Sequence, residues 1–195
     1  MLDEFIKFVQ QLFPSIDPYI SDQLEIALDQ FKREGKKLNL FQHVPFDYLS
    51  QGDILNGIPF IRVNTTGDIE SKTSRGMIIS NTCSCDHDED IIIAPIFDGK
   101  ELDVDLSMLK CNKYYRLMYL PDYNVDDYAV DFSLMNTFST KTLNRLIELG
   151  KVKREKSLNQ FGFYLLITKL TVCFLRPEDL EVQENRRNDY LGQYI

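Results

Sequence analysis

Between residues 52 and 97 the helical period disappears from this sequence. Residues 58–63, 77–80 and 91–96 are short runs of β-branched and aromatic side chains, separated by polar loops. Runs of that length, bounded by turn residues, read as strands. Asn56-Gly57 reads as a turn, and residues 64–68 (Asn-Thr-Thr-Gly-Asp) as a polar loop. The acidic stretch before residue 91 reads as the loop of a hairpin. Further strands are expected over 114–120, stopped by Pro121, and over 128–132. Several short strands with regular turns favour a small antiparallel barrel over a parallel sheet.

Helical periodicity occupies the two ends. Leu2, Phe5, Ile6, Val9, Leu12 and Phe13 share one helical face, and Pro14 closes that helix. A second helix begins near Asp17-Pro18 and ends near Gly35. Residues 1–47 therefore read as an N-terminal helical hairpin with a linker, able to pack on the main domain or to serve as a docking arm. Residues 48–177 form the barrel domain, and 178–195 a charged tail. Ser139 or Thr140 caps a helix that Gly150 stops. Residues 151–156 are a basic run, and 158–175 read as a buried helix packed on the barrel.

The 195 residues carry a net charge of −8 and a sequence pI of about 4.8. Nucleic-acid binders need a basic face to neutralise phosphate, so acidity argues against RNA as a partner. The acidic N-terminus does not resemble a signal peptide, and no stretch is apolar enough to span a membrane, so a cytoplasmic protein without a membrane partner is expected. The four cysteines do not form a disulfide framework at this length.

The densest chemistry lies at Cys83-Ser84-Cys85-Asp86-His87. In an extended segment Cys83, Cys85 and His87 would face one side. Such a set could hold zinc with Cys111 or Asp86 as a fourth ligand, although paired zinc cysteines ordinarily stand further apart. No resident cofactor is expected, and zinc is the one these residues would take. Cys83 or Cys85 beside His87 is alternatively a candidate nucleophile. A polar loop whose cysteines pack inward is the simplest reading. His43 reads as an idle loop histidine.

Two blocks of the chain resemble the MazF/PemK toxin family. The first is Gly52-Asp53-Ile54, followed by the strand from Arg75-Gly76-Met77 to Ser80 and by Ile91-Ile92-Ile93-Ala94-Pro95-Ile96. The second runs from Ala129-Val130-Asp131-Phe132 to Thr142-Leu143. The likeness covers roughly residues 50–175. It implies an SH3-like antiparallel barrel within an α+β chain, a homodimer, and cleavage of single-stranded RNA. Arg75 matches the family's catalytic arginine, with Gly76 in place of proline. Phe97 stands where the family carries a hydroxyl. The expected function is therefore a catalytically diverged, protein-binding component of a bacterial or phage-borne toxin–antitoxin or defence system. An endoribonuclease rebuilt around Arg75, Ser80 and Thr82, with Asn81 and Asp86 as binding residues, is one alternative. A small zinc-binding module is the other.

Overall fold

A computed structural model describes residues 39–86, 90–121, 123, 127–175, 179–182 and 184–186. The expected helical hairpin at residues 1–35 lies outside them.

Seven strands form one antiparallel sheet: β1 (Ile54–Val63), β2 (Ile69–Ile78), β3 (Asp90–Asp98), β4 (Leu117–Leu120), β5 (Tyr128–Asp131), β6 (Asn136–Ser139) and β7 (Lys153–Lys156). The order is β4-β5-β3-β2-β1-β7, with β6 also on β3. Strand β3 organises the sheet. One edge pairs with β2; the other takes β5 at Ile96–Asp98 and β6 at Asp90–Ile93. Strands β5 and β6 are thus one strand interrupted by a 3-10 turn at Phe132–Leu134, where the Asp131 carboxylate accepts from Ser133 N–H. The outer half of β1 leans back towards β6. Ile61 N–H donates to Asn136 Oδ1 at 2.7 Å, and the Phe60 and Phe138 rings meet edge-on.

Among the described residues four helices accompany the sheet, α1 (Thr82–Asp86), α2 (Leu106–Lys110), α3 (Thr140–Glu148) and α4 (Gln160–Leu175), and residues 180–182 and 184–186 are helical as well. The main core joins Ile54, Met77, Ala94, Ile96, Met118 and Val130 to Leu165 and Leu166 of α4. On the other face Leu55, Ile58, Ile78, Ile91 and Ile93 pack against Leu143 of α3 and Val152. Leu109 of α2 covers Leu117, Tyr119 and Ala129.

Several local expectations change. Asn56-Gly57 makes no turn: β1 runs straight through it with a shift of register, and Gly57 adopts φ +93°. A Cβ there would stand 2.2 Å from the Lys151 carbonyl oxygen, so glycine serves a bulge that lets the 151–152 backbone approach. The strand expected at 114–120 begins at Leu117, and the one expected at 128–132 gives way to the 3-10 turn at Phe132. Ser139 stands at the start of α3 without making a side-chain cap bond. Leu40 and Phe41, read as linker, are core residues, and Phe41 bridges to Leu158. Helix α4 is not apolar-buried throughout, since Val172 and Phe174 are exposed. No helix among the described residues is long and apolar enough to cross a membrane.

Candidate functional site

Directly opposed residues of an antiparallel ladder share a face. Arg75 opposes Ile96, which in turn opposes Val130, so Arg75 shares the face of the main core. Around it the apolar surface ends and a cluster of charged and aromatic groups begins, drawn from β1, β2, β5, β7 and Tyr123.

Glu155 of β7 is the hub. Its Oε2 accepts from Arg75 Nε at 3.1 Å and, in a short hydrogen bond, from the Tyr123 hydroxyl. Its Oε1 accepts from Asn56 Nδ2 at 2.9 Å. The Arg75 guanidinium lies 5.9 Å from the Tyr123 ring centroid and 5.6 Å from that of Tyr128. Those two rings meet edge-on at 5.3 Å. Lys156 Nζ donates to the Tyr123 carbonyl at 2.9 Å and stands 4.7 Å from the Phe41 centroid. A shallow groove of about 330 Å³ opens beside Glu155 and Lys156, with Phe41, Gln42 and His43 on its wall.

Burial, reinforced by Glu155, raises the Tyr123 pKa well above the ordinary phenol value, so its hydroxyl stays a donor. Burial works against the charge on Arg75, but Tyr123, Glu155 and Tyr128 outweigh it, and the guanidinium pKa is raised. Arg75 and Glu155 have side chains 33% and 28% exposed. Only Nε of Arg75 is engaged; neither terminal nitrogen has a partner among the described residues. The arrangement therefore holds a fixed, partly exposed cation by one nitrogen and leaves its terminal N–H groups unspent among the described residues, a state suited to an oxyanion.

The other expected catalytic residues are not brought to this cation. Residues rise about 3.3 Å each along a strand, so Ser80, five positions on from Arg75, stands roughly 15 Å away. Ser80 Oγ accepts from Ile92 N–H, and Thr82 Oγ1 accepts from Gln51 N–H; both fasten the β2–β3 connection. Asn81 Oδ1 accepts from Cys83 N–H at the start of α1. Phe97 opposes Ala129, and neighbouring strand residues alternate faces, so position 97 points away from Arg75. A hydroxyl there would not reach the cluster.

Residues 82–86 are helical rather than extended, so the shared side expected for Cys83 and Cys85 is lost: Cys83 is exposed and Cys85 buried. Burial, with Asp53, Asp86 and Cys83 adding to it, pushes the Cys85 thiol up to about 11, which keeps it protonated at neutral pH. His87 lies outside the described residues. Among the described residues no three His, Cys, Asp or Glu side chains converge as a metal site.

No protein-family model and no curated protein matches this sequence.

Sequence reasoning missed Glu155, Lys156, Tyr123 and Tyr128. Residues 151–156 read as a basic run because they carry no apolar alternation. The one available signal was Glu155 itself, an acid inside a run of cations.

Proposed function

We propose that this chain is an SH3-like barrel on the MazF/PemK plan that has diverged from catalysis and serves as a protein-binding component of a bacterial or phage-borne toxin–antitoxin or defence system. The barrel reading is supported by the interrupted β5–β6 strand on the edge of β3 and by the return of β1 to β6 through Ile61 and Asn136. The single observation that carries the loss of catalysis is the state of Glu155. It is the carboxylate beside Arg75, and Arg75, Tyr123 and Asn56 all donate to it. Cleavage of RNA by internal transfer needs a group to take the 2′-OH proton. Three of the roughly four lone-pair positions of Glu155 are already taken by these donors, and Tyr123 is held protonated. Arg75 supplies charge stabilisation without a partner base.

The ribonuclease reading keeps one observation in its favour: the unspent terminal N–H groups of Arg75, near a groove that Lys156 and His43 line. Single-stranded RNA incubated with the natural protein, Arg75→Ala and Glu155→Gln decides between them. No specific cleavage by any of the three is expected. Cleavage by the natural protein that disappears in Arg75→Ala would replace the binding reading with an endoribonuclease.

A further inference from the structure

On the face of β7 opposite to Glu155, Arg154 builds a second site. Its Nη1 donates to the Tyr48 carbonyl at 2.6 Å and to Asp53 Oδ2 at 3.2 Å, and its Nη2 donates to the Phe46 carbonyl. The guanidinium is therefore neutralised by a buried carboxylate and spent on two backbone oxygens. Holding those oxygens fixes the 46–48 strap, whose Phe46 and Tyr48 rings lie stacked 5.2 Å apart at 2°. Both rings are partly open to solvent.

Tyr48 borders an open pocket of about 450 Å³, and Phe46, on the other side of the stack, does not. Asp47 comes from the strap, Asp86 from the end of α1 and Asn144 from α3. Leu49 and Ile147 give the pocket an apolar part. Neither Asp47 nor Asp86 has a hydrogen-bond or ion-pair partner among the described residues. With Arg154 already compensated by Asp53, the pocket wall carries two uncompensated negative charges beside an aromatic face and an amide.

We propose that this pocket receives an arginine side chain presented by a protein partner. A planar guanidinium extends the Phe46–Tyr48 stack while its fork meets a carboxylate and the Asn144 amide. An ammonium has no plane to stack. A nucleic acid would bring phosphates against Asp47 and Asp86. The net charge of −8 steers a basic segment towards this surface. The proposal relies on the protein-binding reading only for the source of the arginine; affinity for guanidinium is a property of the pocket itself.

The test is an amide NMR titration of the full chain with the blocked peptide Gly-Arg-Gly, its citrulline and lysine counterparts, and a uridine trinucleotide. The arginine peptide is expected to shift Tyr48 and Asn144 amides with a dissociation constant on the order of millimolar. Citrulline, a neutral copy, should bind at least about tenfold more weakly. Asp47→Asn, Asp86→Asn and Tyr48→Leu should each weaken binding several-fold and leave spectra elsewhere unchanged. Shifts remote from Tyr48 and Asn144, equal binding of citrulline, or indifference to both carboxylate variants would overturn the proposal. Equal binding of lysine would overturn the assignment to arginine, and tighter binding of the trinucleotide would overturn the choice of a protein partner. RNA cleavage at Arg75 would refute the protein-binding reading and leave this result standing.

Discussion

Replacing Asp53 with alanine tests the physical centre of the fold. The Asp53 side chain is fully buried, at 0% exposure. It accepts from Ser50 N–H at 2.9 Å, from Ser50 Oγ at 2.8 Å and from Arg154 Nη1 at 3.2 Å. Alanine leaves Arg154 without its counter-charge in a partly buried place. Removing one partner of a buried ion pair costs about 3–5 kcal/mol. The Arg154 side chain is 24% exposed and keeps two carbonyl acceptors, so water and backbone recover part of that loss. The stranded Ser50 donors add to it, at roughly 1 kcal/mol or less each because water can enter the space. The balance is about 3 kcal/mol, a large share of the ~5–15 kcal/mol that holds a domain together. For a chain of this size it corresponds to a fall in Tm of roughly 6–12 °C.

Urea unfolding followed by circular dichroism measures it. Asp53→Asn, which keeps an acceptor for Ser50 but loses the charge, should cost about half as much. In Asp53→Ala/Arg154→Met the orphaned cation is gone, so the double variant should be more stable than the sum of the single losses by about 1–3 kcal/mol. A loss below about 1 kcal/mol in Asp53→Ala, or strict additivity in the double variant, would refute the claim that this pair is a buried, coupled unit.

Two further outcomes follow from the titrating groups. Lys169 is 6% exposed and donates to the Asn112 and Tyr114 carbonyls; burial pushes its pKa down to about 8, with Cys173 opposing. The unfolded chain binds this proton more tightly, so the lysine contribution rises from pH 8 to about 10.4 and is lost as pH falls back, by up to roughly 3 kcal/mol. Lys169→Met should flatten the rise in unfolding free energy between pH 8 and 10; an equal slope in both proteins would refute the assignment. Cys85, buried and pushed up to about 11, should react with a maleimide at pH 8 at least about 10²-fold more slowly than exposed Cys83. Peptide mapping after brief labelling reads the ratio, and equal rates would contradict the packing of α1.

The strands were legible where burial writes a local pattern. Ile91 and Ile93 face one core and Ala94 and Ile96 the other, so Ile91–Ile96 reads as a continuous apolar run even though Ile92 is exposed. Pro121 ended a strand where expected. The Asn-Gly pair misled because a bulge and a hairpin use the same residues. Only the approach of the Lys151 carbonyl, almost a hundred positions away, distinguishes them. Residues 82–86 misled in the other direction: Asn81 accepts from Cys83 N–H and starts a helical turn, and this local bond decides the direction of both cysteines. The Arg75 cluster was half legible. Its arginine stood out by position, but Tyr123 and Glu155 are joined to it by contacts between distant segments, which no window of sequence contains.

Strand β7 shows how the two sites depend on one another. It pairs with β1 over a few residues, with a shift of register between Ile54 and Leu55. So short and charged an edge strand has little packing with which to fix its register. Its charges supply the missing restraint. Arg154 faces Asp53 and the 46–48 strap, while the next residue, Glu155, faces Arg75. A slip of one residue exchanges the two faces. A slip in one direction would set Glu155 against the buried Asp53 carboxylate; a slip in the other would turn Arg154 towards the Arg75 guanidinium. Both contacts would join like charges, and the first would do so where water is excluded. Alternating charge on β7 thus excludes the neighbouring register. The same alternation fixes the Phe46–Tyr48 stack on one face of the strand and holds Arg75 by its Nε on the other.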